Sequence, residues 1–175
     1  MVPTTIHIQG ADITIRTYQP TDDIEYLTEL LHRAYAGLAA MGFRYHATHQ
    51  DSTVTAERLN GDLSFIAERN GIIVGTVTLY KTFPEDSCEW YTSNGVWHFG
   101  QFGIEPNLQR NGLGNAMMNI IELHAKQLGA QELACDTAEG ATHLVNWYNK
   151  RGYRFIQHVQ WGVTNYRSVV LSKTL

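Results

Sequence analysis

The chain has 175 residues, 43% of them hydrophobic and 17% charged, with a formal net charge of −4, which predicts one globular domain over residues 1–175. The sequence contains no run of about 18 apolar residues that would span a membrane and no block of basic residues that would bind nucleic acid. We therefore expect neither a membrane nor a nucleic acid as a partner. The start Met1–His7 does not resemble a signal peptide, and Cys88 and Cys135 are too few for a disulfide framework, so we expect a cytoplasmic protein.

The first half of the chain is predicted to hold a strand, two helical segments and a hairpin. Leu63–Arg69 and Ile72–Tyr80 are expected to pair, because the intervening Asn70-Gly71 suits a type I′ turn. An acidic loop is expected after this hairpin. The remaining predictions are a strand at Ile13–Tyr18, a helix from Asp23 to Gly42, an amphipathic segment at Thr53–Asn60 and the loop Lys81–Gly95.

The second half alternates strand-like and helix-like segments, which predicts an α/β (α+β) domain with a mixed sheet of about seven strands flanked by helices. Its predicted strands are Val96–Ile104, Glu132–Asp136, Tyr153–Trp161 and Asn165–Ser172. Its predicted helices are Leu113–Leu128, which Gly129 ends, and Ala141–Arg151, which Gly152 ends.

A glycine-containing turn joins the fourth predicted strand to the long helix. Glycines let the backbone approach a ligand, and the helix start adds unpaired amides and a positive dipole end, so the turn predicts a phosphate or pyrophosphate site. Arg110 would add a charged contact. A nucleotide-triphosphate loop is excluded, because no Gly-Lys-Ser/Thr follows. A dinucleotide fold is disfavoured, although Asp136 has suitable spacing, because Met117 occupies the third glycine position.

Two motifs in this half resemble those of the GCN5-related N-acetyltransferase (GNAT) superfamily. Gln109-x-x-Gly112-x-Gly114 is similar to the family's Gln/Arg-x-x-Gly-x-Gly/Ala signature and lies, as in the family, between the fourth strand and the third helix. Trp147–Tyr153 is similar to its later Tyr-x-x-x-Gly-Phe/Tyr segment. The predicted element order is also the family's, so the resemblance covers nearly the whole chain.

The resemblance implies that the fourth and fifth predicted strands splay apart and that acetyl-CoA is the co-substrate, with no metal required. The arm of acetyl-CoA would pair with the exposed edge of the fourth strand, and its pyrophosphate would be held by backbone amides. The implied cofactor-binding residues are Phe102, Gly103, Ile104, Gln109, Arg110, Asn111, Gly112, Leu113, Gly114 and Asn115.

Two catalytic residues are also implied. Tyr148 would protonate the departing thiolate, its alternative role being core filling. His98 stands where some members have a general base, which suits an imidazole; the alternative is a strand histidine bonded to its neighbours. Glu105 and Glu89 are weaker base candidates, and Ala141 replaces an asparagine that helps many members to hold the cofactor arm.

The acceptor region is predicted to lie at two segments rich in aromatic and charged residues, Gly42–Asp51 and Lys81–Gly95. Carboxylates and rings favour a cationic amine, whereas Arg44 would favour a carboxylate. His46 and His49 have a spacing that metal ligands use, but no partner ligand is arranged around them. The relevant residues of the second segment are Glu85, Asp86, Glu89, Trp90 and Tyr91.

The sequence therefore predicts an acetyl-CoA-dependent N-acetyltransferase that acts on a primary amine of a small molecule or peptide. Direct attack in a ternary complex is expected, in a monomer or homodimer. The alternative is a non-catalytic acyl-CoA-binding or sensing module of the same fold, which would keep the glycine turn without a working acid and base.

Overall fold

The computed structural model describes residues 3–61, 63–81 and 88–175. Its strands are β1 Thr4–Ile8, β2 Ala11–Thr17, β3 Leu63–Arg69, β4 Ile72–Tyr80, β5 Val96–Ile104, β6 Glu132–Ala138, β7 Arg154–Val159 and β8 Ser168–Thr174. Its α-helices are α1 Ile24–Ala40, α2 Ser52–Leu59, α3 Glu89–Thr92, α4 Leu113–Gln127 and α5 Thr142–Lys150. Short 3₁₀ turns lie at His46–Thr48 and Pro106–Leu108.

The strands form one mixed sheet of eight in the order β1-β2-β3-β4-β5-β6-β8-β7, which confirms the predicted fold class. The additional strand is β1, which pairs antiparallel with β2 through a turn at Gln9 and Gly10. It lies at the edge of the sheet and is mostly exposed, so burial imposes little apolar pattern on its sequence. The fourth and fifth predicted strands are consequently β5 and β6.

The hairpin of β3 and β4 forms as the sequence predicts. Asn70 has a φ of 53° and Gly71 a φ of 76°, the left-handed geometry that a type I′ turn needs at both positions. The hairpin continues the antiparallel part of the sheet, which runs from β1 to β5. Among the described strands, only β5 and β6 pair in parallel, which is not the sheet of a dinucleotide-binding fold.

β5 and β6 pair over a short distance and then separate. Their ladder joins Val96, Trp97 and His98 to Glu132, Leu133 and Ala134, and it ends there. β6 goes on to pair with β8 as far as Ala138. Among the described strands, none pairs with the half of β5 beyond His98 on the side of β6, which is the separation that the resemblance implied.

Helices cover the two faces of the sheet at this opening. On the face that we call the α4–α5 face, Leu113, Met117 and Ile121 of α4 pack against Phe65 and Phe99 in the main core. On the opposite face, here the α1–α3 face, Leu27, Leu30 and Leu59 of α1 and α2 pack against Ile66 and Ile73. The opening between β5 and β6 thus lies between two packed layers, which fix its walls.

Candidate active site

The open edge of β5 is bent by a β-bulge. The pairing of β4 with β5 steps from Thr76–Gly103 to Thr78–Gly100, so β5 contains an extra residue in this interval. Gln101 within it has a φ of 49°, which is unusual for a residue with a side chain. Bulges of this kind bend a strand and end its regular pairing, which accounts for the turning of β5 away from β6.

The turn before α4 presents backbone amides. Gly112 precedes the helix with a φ of 95°, and no side chain of the described residues caps the first turn. Arg110 also has a positive φ, 62°, so two residues of this turn adopt left-handed backbone geometry. Uncapped amides and the positive end of the helix dipole form a binding site for an anionic group such as a phosphate.

Most side chains of the predicted cofactor segment are engaged with the protein. Gln109 Nε2 donates to the carbonyl oxygen of Ile104 at 3.0 Å, and Asn115 Oδ1 accepts from Arg151 Nη1 at 3.1 Å. Asn111 Nδ2 donates to a carbonyl in the preceding turn at 3.4 Å, and Arg110 is exposed. The segment can therefore contact a ligand through its backbone while its side chains hold the turn in shape.

Two glycines of the predicted segment are required by packing. A Cβ at Gly103 would lie 3.0 Å from Leu31 Cδ2, so a side chain there would push α1 away from β5. A Cβ at Gly114 would lie 3.3 Å from Ile104 Cδ1, which keeps α4 close to the open edge. The ring of Phe102 stacks on that of Trp147 with centroids 6.1 Å apart.

Tyr148 lies behind the opening, on the α4–α5 face. Its ring packs against those of Phe99 and Tyr153, with centroids 6.0 and 5.6 Å away. The thiol of Cys135 on β6 is a close neighbour of its hydroxyl. Burial, followed by the neighbouring Cys135, raises the pKa of Tyr148 well above its ordinary value, so the phenol keeps its proton at any physiological pH.

His98 lies on the opposite face, where the ladder of β5 and β6 ends. Its imidazole is stacked between the rings of Tyr80 and Tyr91, at centroid distances of 5.0 and 4.5 Å. Burial, with a smaller contribution from the positive charge of Arg58, lowers the pKa of His98 from 6.5 to about 3. The imidazole is therefore neutral near neutral pH, instead of titrating there.

A carboxylate that the sequence motifs did not mark as catalytic faces the same opening. Asp136 Oδ1 accepts from the Tyr91 hydroxyl at 3.2 Å, and Oδ2 accepts from Trp161 Nε1 at 2.8 Å. The side chain is half-buried on β6, just past the last residue that pairs with β5. In the sequence, Asp136 was notable only as an acidic residue at the end of a short predicted strand, the position that an acidic residue of a dinucleotide-binding fold also has.

Aromatic side chains of the predicted acceptor segment extend this wall. The hydroxyl of Tyr45 lies 2.8 Å from Thr137 Oγ1 and accepts from the Ala138 amide at 2.9 Å, which ties the segment to the end of β6. Its ring lies 4.7 Å from that of Tyr166, so the aromatic connection after β7 belongs to the same wall. The predicted Glu85 and Asp86 lie outside the described residues.

The weaker candidates for a general base or a metal ligand either bond to other side chains or are exposed. Glu105 forms an ion pair with Arg33 at 2.6 Å, and Glu89 is exposed at the start of α3. His46 Nδ1 faces Arg58 Nη1 at 3.3 Å, a cation that disfavours a metal at that nitrogen. Within residues 3–61, 63–81 and 88–175, no cluster of at least three histidine, cysteine or acidic side chains is suited to hold a metal ion.

Residues 24–153 match the acetyltransferase (GNAT) family, and the chain belongs to that family. It is accordingly an acetyl-CoA-dependent acyltransferase. The S-(2-succino)cysteine N-acetyltransferase of Bacillus subtilis (strain 168) is 26% identical over 133 residues, which cover 75% of this chain and 78% of that protein.

Solved structures share the fold at low sequence identity. The GNAT domain of S. lividans PAT has a TM-score of 0.75 at 15% identity, covering 99% of this chain and 97% of that one. A GNAT family acetyltransferase from Elizabethkingia anophelis, with acetyl-CoA bound, has a TM-score of 0.64 at 18% identity, covering 93% and 98%. None of the described helices is both long and apolar enough to span a bilayer.

Proposed function

We propose that this protein transfers the acetyl group of acetyl-CoA to a primary amine of a small molecule or peptide. The observation that carries the proposal is the coincidence of three features at one opening. The β5 edge is unpaired beyond His98, the turn at Gly112 presents uncapped amides, and the Tyr148 hydroxyl lies behind the opening. Acetyl-CoA carries a pyrophosphate at one end and the reacting thioester at the other, so a site for it needs all three features along one path.

The residues at the turn fit the phosphate end of acetyl-CoA. Among the described residues, no heavy atom lies within 4 Å of a Cβ built on Gly112, so the side-chain position of this residue is open. We assign the pyrophosphate to the amides of Gln109–Asn115 and the extended arm to the edge at Phe102–Ile104. Acetyl-CoA supplies the activated acetyl group, and a backbone amide near Phe102 or Gly103 would polarise its carbonyl.

Tyr148 is assigned as the proton donor. The transfer breaks a carbon–sulfur bond and forms an amide bond, so the sulfur leaves with a negative charge that a proton must neutralise. The pKa of Tyr148 is raised by burial, so its phenol is protonated and available to donate when the thiolate forms. The packing of its ring against those of Phe99 and Tyr153 fixes the position of the side chain.

Two side chains on the α1–α3 face are assigned to bind and deprotonate the amine substrate. Asp136 is assigned to attract the cationic amine, since its carboxylate lies at the start of the opening. His98 is our candidate for accepting the proton that the amine loses. Because its pKa is lowered to about 3, it is a neutral but weak acceptor, and transfer onward to water would have to follow.

The simplest test is the release of free CoA thiol from acetyl-CoA in the presence of single amines, with the purified full chain. The panel contains amino acids, their carboxamides, simple amines and short peptides, and also S-(2-succino)cysteine, because the Bacillus subtilis relative is named for that acceptor. Thiol release that depends on one class of amine, with the acetylated product detected by mass spectrometry, supports the proposal. Tight acetyl-CoA binding without turnover on any amine supports the binding module instead.

Direct attack in a ternary complex makes a kinetic prediction. Initial rates measured while both substrates are varied should give intersecting lines in a double-reciprocal plot. Parallel lines would show a covalent acetyl-enzyme. Cys135 would then be the residue to examine, although burial raises its pKa well above its ordinary value and so disfavours a thiolate.

A further inference from the structure

Arg58 is a half-buried cation on the α1–α3 face whose neighbours are neutral. It projects from the last turn of α2, where Nη1 donates to Gln50 Oε1 at 3.2 Å and lies 3.3 Å from His46 Nδ1. When the amide oxygen of Gln101 faces it, that oxygen accepts from Nη1 at 3.0 Å and from Nε at 2.9 Å. These contacts fix the guanidinium without neutralising it.

Three other half-buried arginines of this chain, Arg16, Arg33 and Arg151, have carboxylate partners, whereas Arg69 and Arg58 have none among the described residues. Arg16 pairs with Asp22 at 2.6 Å, and Arg151 pairs with Glu122 at 3.0 Å. Within the described residues, Arg58 forms no ion pair with any carboxylate. Removing a cation partly from water is costly unless an anion compensates for it, so a half-buried guanidinium held only by neutral groups is suited to bind an anion.

The structure leaves an approach to this guanidinium through Gly100 in the middle of β5. Gly100 is partly exposed although it lies within a largely buried strand. A Cβ built there would have Tyr80 Cε2 at 3.4 Å and Arg58 Nη2 at 3.9 Å as its nearest neighbours. The absence of a side chain therefore opens a gap in which a ligand group can reach Nη2.

This gap adjoins the reaction site. Gly100 lies two residues beyond His98, on the part of β5 that has separated from β6, and His98 stacks on the Tyr91 that donates to Asp136. His98 also stacks on Tyr80, whose hydroxyl donates to the carbonyl oxygen of Arg58 at 2.9 Å. A cation and an anion thus face one wall of aromatic rings.

We propose that Arg58 binds a carboxylate of the acceptor, so that the substrates of this enzyme are amino acids or related amines that carry a carboxylate. A guanidinium binds a carboxylate through paired, charge-assisted hydrogen bonds, which an amide or ester of the same compound cannot replace. Asp136 attracts the amine of the same molecule. The inference rests on the proposed function, since it names the substrate class of that site.

The main experiment leaves the protein unchanged and varies the acceptor. Each amino acid of the panel is compared with its carboxamide and with its decarboxylated amine, and kcat/KM is measured at saturating acetyl-CoA. We expect the free acids to be better substrates by about 10- to 100-fold, the range of a hydrogen bond to a charged group. Carboxamides that react as well as the acids would overturn the proposal.

The variants Arg58→Gln and Arg58→Lys connect this preference to the residue. Arg58→Gln should remove the preference for acids while the KM for acetyl-CoA is unchanged, and Arg58→Lys should retain part of it. Arg69→Gln is the matched control, because it removes a half-buried arginine at the opposite end of the sheet and should leave the preference intact. A structural role of Arg58 would instead lower the rates of acids and carboxamides equally, which would count against the proposal.

Two variants at Gly100 test the gap without changing the charge of Arg58. The Cβ in Gly100→Ala meets only ordinary contacts, so the fold should tolerate it, while the larger Gly100→Val should block access to Nη2. Both should raise the KM of a carboxylate acceptor, Val more than Ala. If the KM of the acceptor were unchanged in Gly100→Val, the carboxylate would bind elsewhere.

A binding measurement separates failure of this inference from failure of the proposed function. Calorimetric titration of wild type and Arg58→Gln with S-(2-succino)cysteine and with glutamate needs no turnover. If no amine releases thiol but a carboxylate probe binds wild type about 10-fold more tightly than the variant, the carboxylate site stands and the transferase proposal falls. If thiol is released yet neither probe distinguishes the two proteins, the transferase stands and the carboxylate site falls.

Discussion

The two faces of the opening between β5 and β6 are built from different parts of the chain. In the site that we propose, the α4–α5 face offers backbone groups, namely the amides at Gly112 and the free edge of β5, with the Tyr148 hydroxyl behind them. The α1–α3 face offers side chains, chiefly Arg58 and Asp136. A backbone site depends on the fold and suits an unvarying ligand, whereas side chains can change without altering the fold. The comparison predicts separate mutational effects on acetyl-CoA and on the acceptor.

The largest effect is expected at Tyr148. Tyr148→Phe removes the proton donor and leaves the ring packing, so kcat should fall by about 100-fold or more while the KM for acetyl-CoA is unchanged. Tyr153→Phe is the control, because Tyr153 belongs to the same aromatic cluster but its hydroxyl donates to Glu122 at 3.3 Å. Equal losses in both variants would mean that the cluster acts only through packing.

A pair of glycines tests whether the backbone site belongs to acetyl-CoA. Gly112 and Gly129 have φ values of 95° and 96°, and at neither would an added Cβ have a heavy atom within 4 Å. Alanine at either should destabilise the fold by about 1–2 kcal/mol, as measured by chemical denaturation. Only Gly112→Ala should also weaken acetyl-CoA binding, by about 10-fold in calorimetry. Equal acetyl-CoA affinities in the two variants would remove Gly112 from the site.

A smaller effect, confined to the acceptor, is expected at Asp136. Asp136→Asn keeps the shape and one acceptor oxygen but loses the charge, so the KM of a cationic amine should rise by roughly 5-fold, with that of acetyl-CoA unchanged. Asp12→Asn, at an exposed carboxylate on β2, controls for the general loss of charge. A rise in the KM for acetyl-CoA would contradict the prediction that the two faces bind different substrates.

The smallest effect at neutral pH is expected from the buried histidine, and it grows on acidification. The unfolded chain takes up a proton at His98 below a pH of about 6.5, whereas the folded imidazole, with its pKa lowered by burial, does so only near 3. Stability should therefore fall by about 1.4 kcal/mol for each pH unit between these values. His98→Phe, which fits between the same two rings, should flatten this slope in denaturant titrations.

The same variant tests the proposed proton acceptor. If His98 accepts the proton of the amine, His98→Phe should lower kcat with little change in either KM. The wild-type rate profile should show no limb near pH 6.5 from this residue, because its folded pKa is about 3. An unchanged kcat would move the role of acceptor to Asp136 or to water.

Local patterns in the sequence were sufficient for much of the fold. The bounds of β3, β4 and β5 agree with the prediction, because strongly apolar runs and the Asn70-Gly71 turn depend on neighbours along the chain. The first and last strands of the chain were harder to predict. β1 was not predicted and β8 begins at Ser168 rather than Asn165, because Asn165 instead bonds to the Arg44 amide and the Gly42 carbonyl far away in sequence.

The glycine turn and the tyrosine segment were thus determined by the sequence alone, since each is a local motif whose spacing determines its backbone shape. The tertiary structure decided the rest of the site. It lowers the pKa of His98 through burial between two rings, and it brings Arg58 and Asp136 to one opening from different elements. Burial and charge proximity arise from contacts between segments distant along the chain, so no local pattern could have shown them.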